Sequence, residues 1–164
     1  MDDHDFLKRA IELSQESVDV GGYPVGAVIV SNGEILATGL SNGKQLHDPT
    51  SHAETAAIRE AARKLGERDL VNVVLYSSLE PCLMCYTSSF WAHIPRVVFA
   101  CGRDKVASEY YEGDHNIFIL NEKSRRSIEL IHEIELEEEA LVVIHEWERS
   151  KKFEGRSRQR ATAF

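Results

Sequence analysis

Small and apolar side chains recur every three or four residues near the start of the chain, at Phe6, Ala10, Leu13 and Ser17, with Leu7, Ile11 and Val18 beside them. That spacing forms one stripe of a helix, predicted over 4–19 and stopped by Gly21-Gly22. Two apolar runs follow, Val25 to Val30 and Ile35 to Leu40, joined through Asn32-Gly33. Asn-Gly readily takes the positive φ angles of a tight turn, so the runs read as an antiparallel strand pair. After the polar stretch 41–51, Thr50 or Ser51 is placed to cap a helix over 52–65, whose buried face would use Ala53, Ala56, Ala57, Ala61 and Leu65.

Val71 to Tyr76 reads as a strand, Pro81 as the opening of a helix running to about Ala92, and Val97 to Ala100 as a further strand. Strand, helix, strand is a βαβ unit, so those two strands should be parallel. Residues 103–126 are polar and aromatic, with a short helix expected near Asp104 to Tyr111. Ile128, Leu130, His132, Ile134 and Leu136 then alternate as a strand. The 26 residues between Cys101 and Ile128 leave room for a crossover, which places this fifth strand parallel to the fourth. Leu141, Ile144 and Trp147 mark a last helix over 137–152. The pattern is α/β: a three-layer α/β/α arrangement with a central five-stranded mixed sheet flanked by helices. Residues 1–153 form one domain, and 154–164, without periodicity, are expected to be a disordered basic tail.

Charge narrows the class of partner. Net charge is −8, but the last fourteen residues hold five Lys/Arg against one acid, so residues 1–150 carry 14 basic against 26 acidic side chains. Such a body disfavours contact with phosphate backbones. No segment approaches the roughly 20 apolar residues of a membrane span, and no basic start precedes an apolar run, so a soluble, cytoplasmic protein is expected. Three cysteines, Cys82, Cys85 and Cys101, make a disulfide framework improbable. Cys101 has no partner at ligand spacing and reads as a buried, inert thiol.

The chemistry lies in His52-Ala53-Glu54 at one helix start and Pro81-Cys82-Leu83-Met84-Cys85 at the next. Cys82 and Cys85 share one face of a helical turn, and their thiolates gain from its positive N-terminal end. His52 can supply a third ligand, leaving a tetrahedral zinc with one position for water, as in catalytic rather than structural sites. Glu54 can then reach that water as proton carrier without being a ligand. A Cys-x-x-Cys pair alone suits a redox role equally well, and His52 alone suits a cap or a core histidine. The two halves together are the H-x-E and P-C-x-x-C pattern of zinc nucleobase deaminases.

On these residues the chain resembles the cytidine deaminase superfamily, from Phe6 through the last helix. Tyr23 to Val30, Asn42, Asp48 to Glu54 and Leu79 to Cys85 are similar to the branch holding bacterial guanine deaminases and tRNA adenosine deaminases. The resemblance implies a cytidine deaminase-like fold, a Zn2+ cofactor, a homodimer, and hydrolytic release of ammonia from a nucleobase or nucleoside. It assigns Asn42 to hydrogen-bond the substrate ring, against the alternative that Asn42 only shapes the loop before His52. The N–H of Ala53 and a carbonyl near Ser78 or Leu79 are further implied contacts. Trp91, Phe90, Tyr110 and Tyr111 are candidates to stack on a flat base, against the alternative that they are core. The segment 103–114 and the last helix are candidates for a lid. The Cys101 to Ser108 segment lacks the Gly-Ala-Ala-Gly-Ser-like run of the tRNA enzymes, and Val106 falls where guanine deaminases place an acid. The expectation is a guanine-type purine. A cytosine-type pyrimidine deaminase, a tRNA adenosine-to-inosine deaminase and a non-catalytic zinc-binding protein are the alternatives.

Overall fold

A computed structural model describes residues 2–161, with side chains through Lys151. Five strands form one sheet in the order β2-β1-β3-β4-β5: β1 Tyr23–Ser31, β2 Glu34–Ser41, β3 Val73–Leu79, β4 Arg96–Cys101 and β5 Glu129–His132. The β1–β2 hairpin is antiparallel, its register closing at Ser31↔Glu34. Asn32 at φ 52° and Gly33 at φ 77° supply the turn that the dipeptide predicts. β1 also runs antiparallel to β3, whereas β3, β4 and β5 are mutually parallel. The expected mixed sheet, including its parallel fifth strand, is therefore the one observed.

Among the described residues six α-helices surround it: α1 Asp3–Asp19, α2 Gly43–Leu46, α3 Ala53–Leu65, α4 Leu83–Trp91, α5 Ile117–Lys123 and α6 Glu137–Ala161. α1 begins in a reciprocal cap between Asp2 and Asp5 and buries Phe6, Leu7, Ala10, Ile11 and Leu13. β3 is buried along nearly its whole length and β4 after its first residue, the expected pattern for strands covered on both faces. Glycine permits one close approach: a Cβ at Gly39 of β2 would collide with the carbonyl of Ala53, so α3 starts directly against the sheet.

Several expected boundaries move. α3 begins at Ala53 with His52 itself as N-cap, and Leu65 is exposed while Glu54 and Thr55 are buried. Pro81 lies ahead of the N-cap of α4, which is Cys82. β3 begins two residues later than Val71, which is exposed, and runs on to Leu79. The short helix expected at 104–111 is two 3-10 turns, Arg103–Lys105 and Ser108–Tyr110. The fifth strand ends at His132, because Ile134–Leu136 coils into a 3-10 turn that leads into α6. The alternation there came from a helix entry that buries Leu136 and exposes Ile134. α5 arises where Asn116 accepts hydrogen bonds from the N–H groups of Phe118 and Ile119. α6 runs past the expected end at 152. The side chains of the expected basic tail lie outside the described residues.

Candidate active site

Two helices start side by side at the carboxyl ends of the parallel strands, and both carry a metal-type ligand where a capping residue usually sits. His52 is the N-cap of α3 and Cys82 the N-cap of α4, and neither side chain makes a capping hydrogen bond. Their donor atoms are directed instead at each other. His52 Nδ1 lies 3.5 Å from Cys82 Sγ and 3.6 Å from Cys85 Sγ, and the three ligand atoms lie within 4.8 Å of one another. With Zn–S near 2.3 Å and Zn–N near 2.0–2.1 Å, tetrahedral zinc sets nitrogen and sulfur about 3.6 Å apart. The donor set and its spacing fit zinc, with three protein ligands and one position left over.

The cysteine pair is electrostatically uneven. A hydrogen bond from Cys85, opposed by burial and aided by His52, lowers Cys82 to about 6. The same bond and burial push the Cys85 thiol well above its ordinary value. Contact with Cys82 raises His52, against the effect of burial.

Glu54, on the first turn of α3, is 3% exposed. Its Oε1 accepts from Ser77 Oγ of β3 (3.3 Å) and its Oε2 from Cys85 Sγ (3.4 Å). Burial, followed by the charge on Cys82, raises its carboxyl to about 7. A buried carboxyl that titrates near neutrality beside a metal site can both take and return a proton.

His52, Glu54 and Cys82 open onto a cavity of about 420 Å³, within the usual range for small-molecule sites. The segment 103–114 lends Glu109, Tyr110, Tyr111 and Glu112 to its wall. Tyr111 donates to the Glu80 carbonyl (2.9 Å) and lies under the Arg103 guanidinium, which also donates to the Gly113 carbonyl (2.8 Å). Glu112 accepts from the N–H groups of Leu83 and Met84, the first two residues of α4, each at 3.2 Å. Trp147 of α6 packs against Tyr23 and Tyr110 of the lining, and Glu148 accepts from the Tyr110 hydroxyl. The expected lid elements thus meet at the rim.

Of the residues singled out from sequence, His52, Glu54, Cys82 and Cys85 come together, and Tyr110 and Leu79 line the cavity. Ala53 is buried at the first position of α3, among the helix N–H groups that lack partners within the helix. Asn42, Ser78 and Trp91 are not among the residues that line the cavity. Asn42 stands at the N-cap of α2 without a side-chain capping bond, and its Oδ1 accepts from Ser51 Oγ (3.1 Å), tying the loop that precedes His52. Ser78 is buried with its Oγ on the Gly26 N–H. Trp91 ends α4 with 64% of its surface exposed, edge-on to Phe90, away from the cavity. Sequence reasoning gave no role to Ser77, Glu80 or Tyr23, and read Glu112 only as part of a lid. Glu80 adjoins Pro81-Cys82 and was within reach of a local reading; Glu112 depends on the path of a loop. Cys101 is buried, and burial pushes its thiol up to about 12, as an inert core thiol requires.

Comparison with known proteins agrees with this geometry. Residues 1–101 match the family model described as the cytidine and deoxycytidylate deaminase zinc-binding region. The chain is 46% identical to guanine deaminase of Bacillus subtilis over 66% of its own length and 70% of that protein. It is 39% identical to a tRNA-specific adenosine deaminase of Buchnera aphidicola over 79% of its length and 78% of that protein. The solved structure of the Bacillus subtilis guanine deaminase superposes with a TM-score of 0.65 at 39% identity, covering 79% of this chain and 83% of that one.

Proposed function

Because the chain belongs to the cytidine and deoxycytidylate deaminase zinc-binding family, we propose that this hydrolase acts on a free nucleobase or nucleoside, with a guanine-type purine as preferred substrate. The carrying observation is the small cavity that brings Glu54 and the His52, Cys82 and Cys85 trio to one wall. In this reading those three residues hold the zinc. Zinc supplies Lewis acidity that brings the pKa of a coordinated water toward about 7. Glu54 would take one proton of the attacking water and pass it to the ring nitrogen, and would carry the second, from the hydroxyl so added, to the departing amine. The carbon gains oxygen, its bond to nitrogen breaks, and ammonia leaves. Ser77 holds the Glu54 carboxyl in place while its burial keeps the proton exchangeable.

The similarity to guanine deaminase supports a purine, and the acidic body supports a small substrate over RNA. The similarity to tRNA adenosine deaminase favours the RNA reading as the alternative. Ammonia release from guanine, adenine, cytosine, their nucleosides and an anticodon stem-loop separates these. Guanine or a related purine should react fastest, and faster turnover of the stem-loop would replace this reading with RNA editing. A cytoplasmic homodimer completes the proposal, and light scattering at micromolar concentration should give twice the 18.5 kDa chain mass. Among the described residues no helix is long and apolar enough to cross a membrane.

A further inference from the structure

Resting on the reading of the site as a base or nucleoside deaminase, we infer that Glu112 is a specificity-determining residue that keeps phosphorylated substrates out. The start of a helix is ordinarily a ready anion site, since its first N–H groups have no partner within the helix and its dipole favours negative charge. α4 opens onto the cavity through Cys82 and Met84, so a nucleotide phosphate entering there would find such a position. The protein fills it with its own carboxylate: Glu112 accepts from both Leu83 N–H and Met84 N–H at 3.2 Å.

The remaining charges point the same way. Four residues of the described lining are acids, Glu54, Glu80, Glu109 and Glu112, and none is Lys or Arg. The Arg103 guanidinium, which rests on the ring of the lining residue Tyr111, donates to the Gly113 carbonyl and lies 3.7 Å from Asp114. Its backbone N–H is held by Glu80 Oε2 at 3.1 Å. A phosphate would meet like charge at the rim, with the helix start already occupied. One carboxylate about 6 Å from a phosphate in partly hydrated surroundings disfavours binding by about tenfold. An uncharged base or nucleoside meets no such repulsion, and its amino groups find acceptors in the same carboxylates.

The test compares kcat/KM of the zinc-loaded protein for a base, its nucleoside and the nucleoside 5′-monophosphate, together with calorimetric binding of inorganic phosphate. The wild type should favour the unphosphorylated compounds by about 100-fold or more and bind no phosphate at millimolar concentration. Glu112→Gln should narrow that ratio by about tenfold, through KM of the monophosphate, and gain phosphate binding, while Glu112→Asp keeps the wild-type ratio. If Glu112→Gln loses zinc or fold, Glu109→Gln, on the same rim without a capping role, should still narrow the ratio severalfold. A wild type that turns over the monophosphate as well as the nucleoside, or a ratio that neither variant moves, overturns the inference. If no base, nucleoside or nucleotide releases ammonia, the deaminase reading itself fails. Phosphate binding then decides separately: a gain in Glu112→Gln supports the role of Glu112, and no gain rejects it.

Discussion

The corner where α3 and α4 begin and the segment 103–114, which lends residues 109–112 to the cavity wall, are neighbours held in opposite ways. At the corner, Ala53, Ala57, Ser77 and Cys85 are completely buried, and every reacting side chain is carried by a helix start packed on the sheet. The wall is mostly exposed, folded as two 3-10 turns, and tied by scattered polar contacts from Tyr111, Arg103 and Glu112. A group that must sit within a fraction of an ångström of a reacting atom needs the first kind of support, whereas a boundary that admits and releases substrate needs the second. Substitutions at the corner should therefore act on metal content and kcat, and those in the wall on KM and selectivity.

The largest expected effect is at Cys85. Cys85→Ala removes one of three ligands at a buried position, so zinc by metal analysis should fall from about one per chain to background. Activity should fall by more than the 10–100-fold typical of residues that only support a ligand, and Tm should drop because metal binding is coupled to folding. A variant with full zinc and activity would move the metal elsewhere. Next, Glu54→Gln should keep zinc yet lose at least about 100-fold in kcat, since the carboxylate carries protons without being a ligand. Wild-type turnover in that variant would break the corner's claim to the chemistry.

The wall is sharpened by Tyr111→Phe, which deletes one hydrogen bond to the Glu80 carbonyl, worth about 1 kcal/mol. KM should rise severalfold with kcat little changed. A loss in kcat as deep as that of Glu54→Gln would mean that the two regions are not distinct in function.

The smallest effect serves as a control beyond both regions. At the other end of β4, Asp3 pairs with Arg96 and accepts from the Tyr76 hydroxyl. The hydrogen bond from Arg96, opposed by burial, holds the Asp3 carboxyl below its ordinary 3.8. Its folded pKa is thus depressed, so its contribution to stability is complete above about pH 4 and fades as pH falls through that lower value. The pair is partly exposed, so Asp3→Asn should cost no more than about 1 kcal/mol, a few degrees in Tm at pH 7. The gap should close in acid, and zinc content should not change. A gap that persists at pH 2 would assign the effect to packing instead.

The corner was legible in the sequence residue by residue, whereas the wall was legible only as a candidate lid with its tyrosines and not in its contacts, and the reason is range. His52-x-Glu54 and Cys82-x-x-Cys85 are fixed by spacing within single helical turns, and Asn32-Gly33 fixes its hairpin through two φ angles. The wall depends on where a loop returns: Glu112 reaches residues 28 and 29 positions earlier, and no local pattern announces that. Asn42 shows the same limit of local reading, because its Oδ1 accepts from Ser51 Oγ nine residues on, a tie of the loop before His52 that spacing alone does not announce. The end of β5 was misread because a 3-10 turn can reproduce the alternation of a strand for a few residues.

Gly39 has no reactive group and stands on an edge strand, yet no side chain fits between it and the carbonyl of Ala53. Any replacement would lift the first turn of α3, and with it His52 and Glu54, off the sheet. Over long divergence such a position should tolerate less drift than several residues that touch the substrate, since a contact can be exchanged for another of similar chemistry but a missing atom has no substitute. An inventory of function drawn only from reactive side chains would therefore undercount what the site depends on.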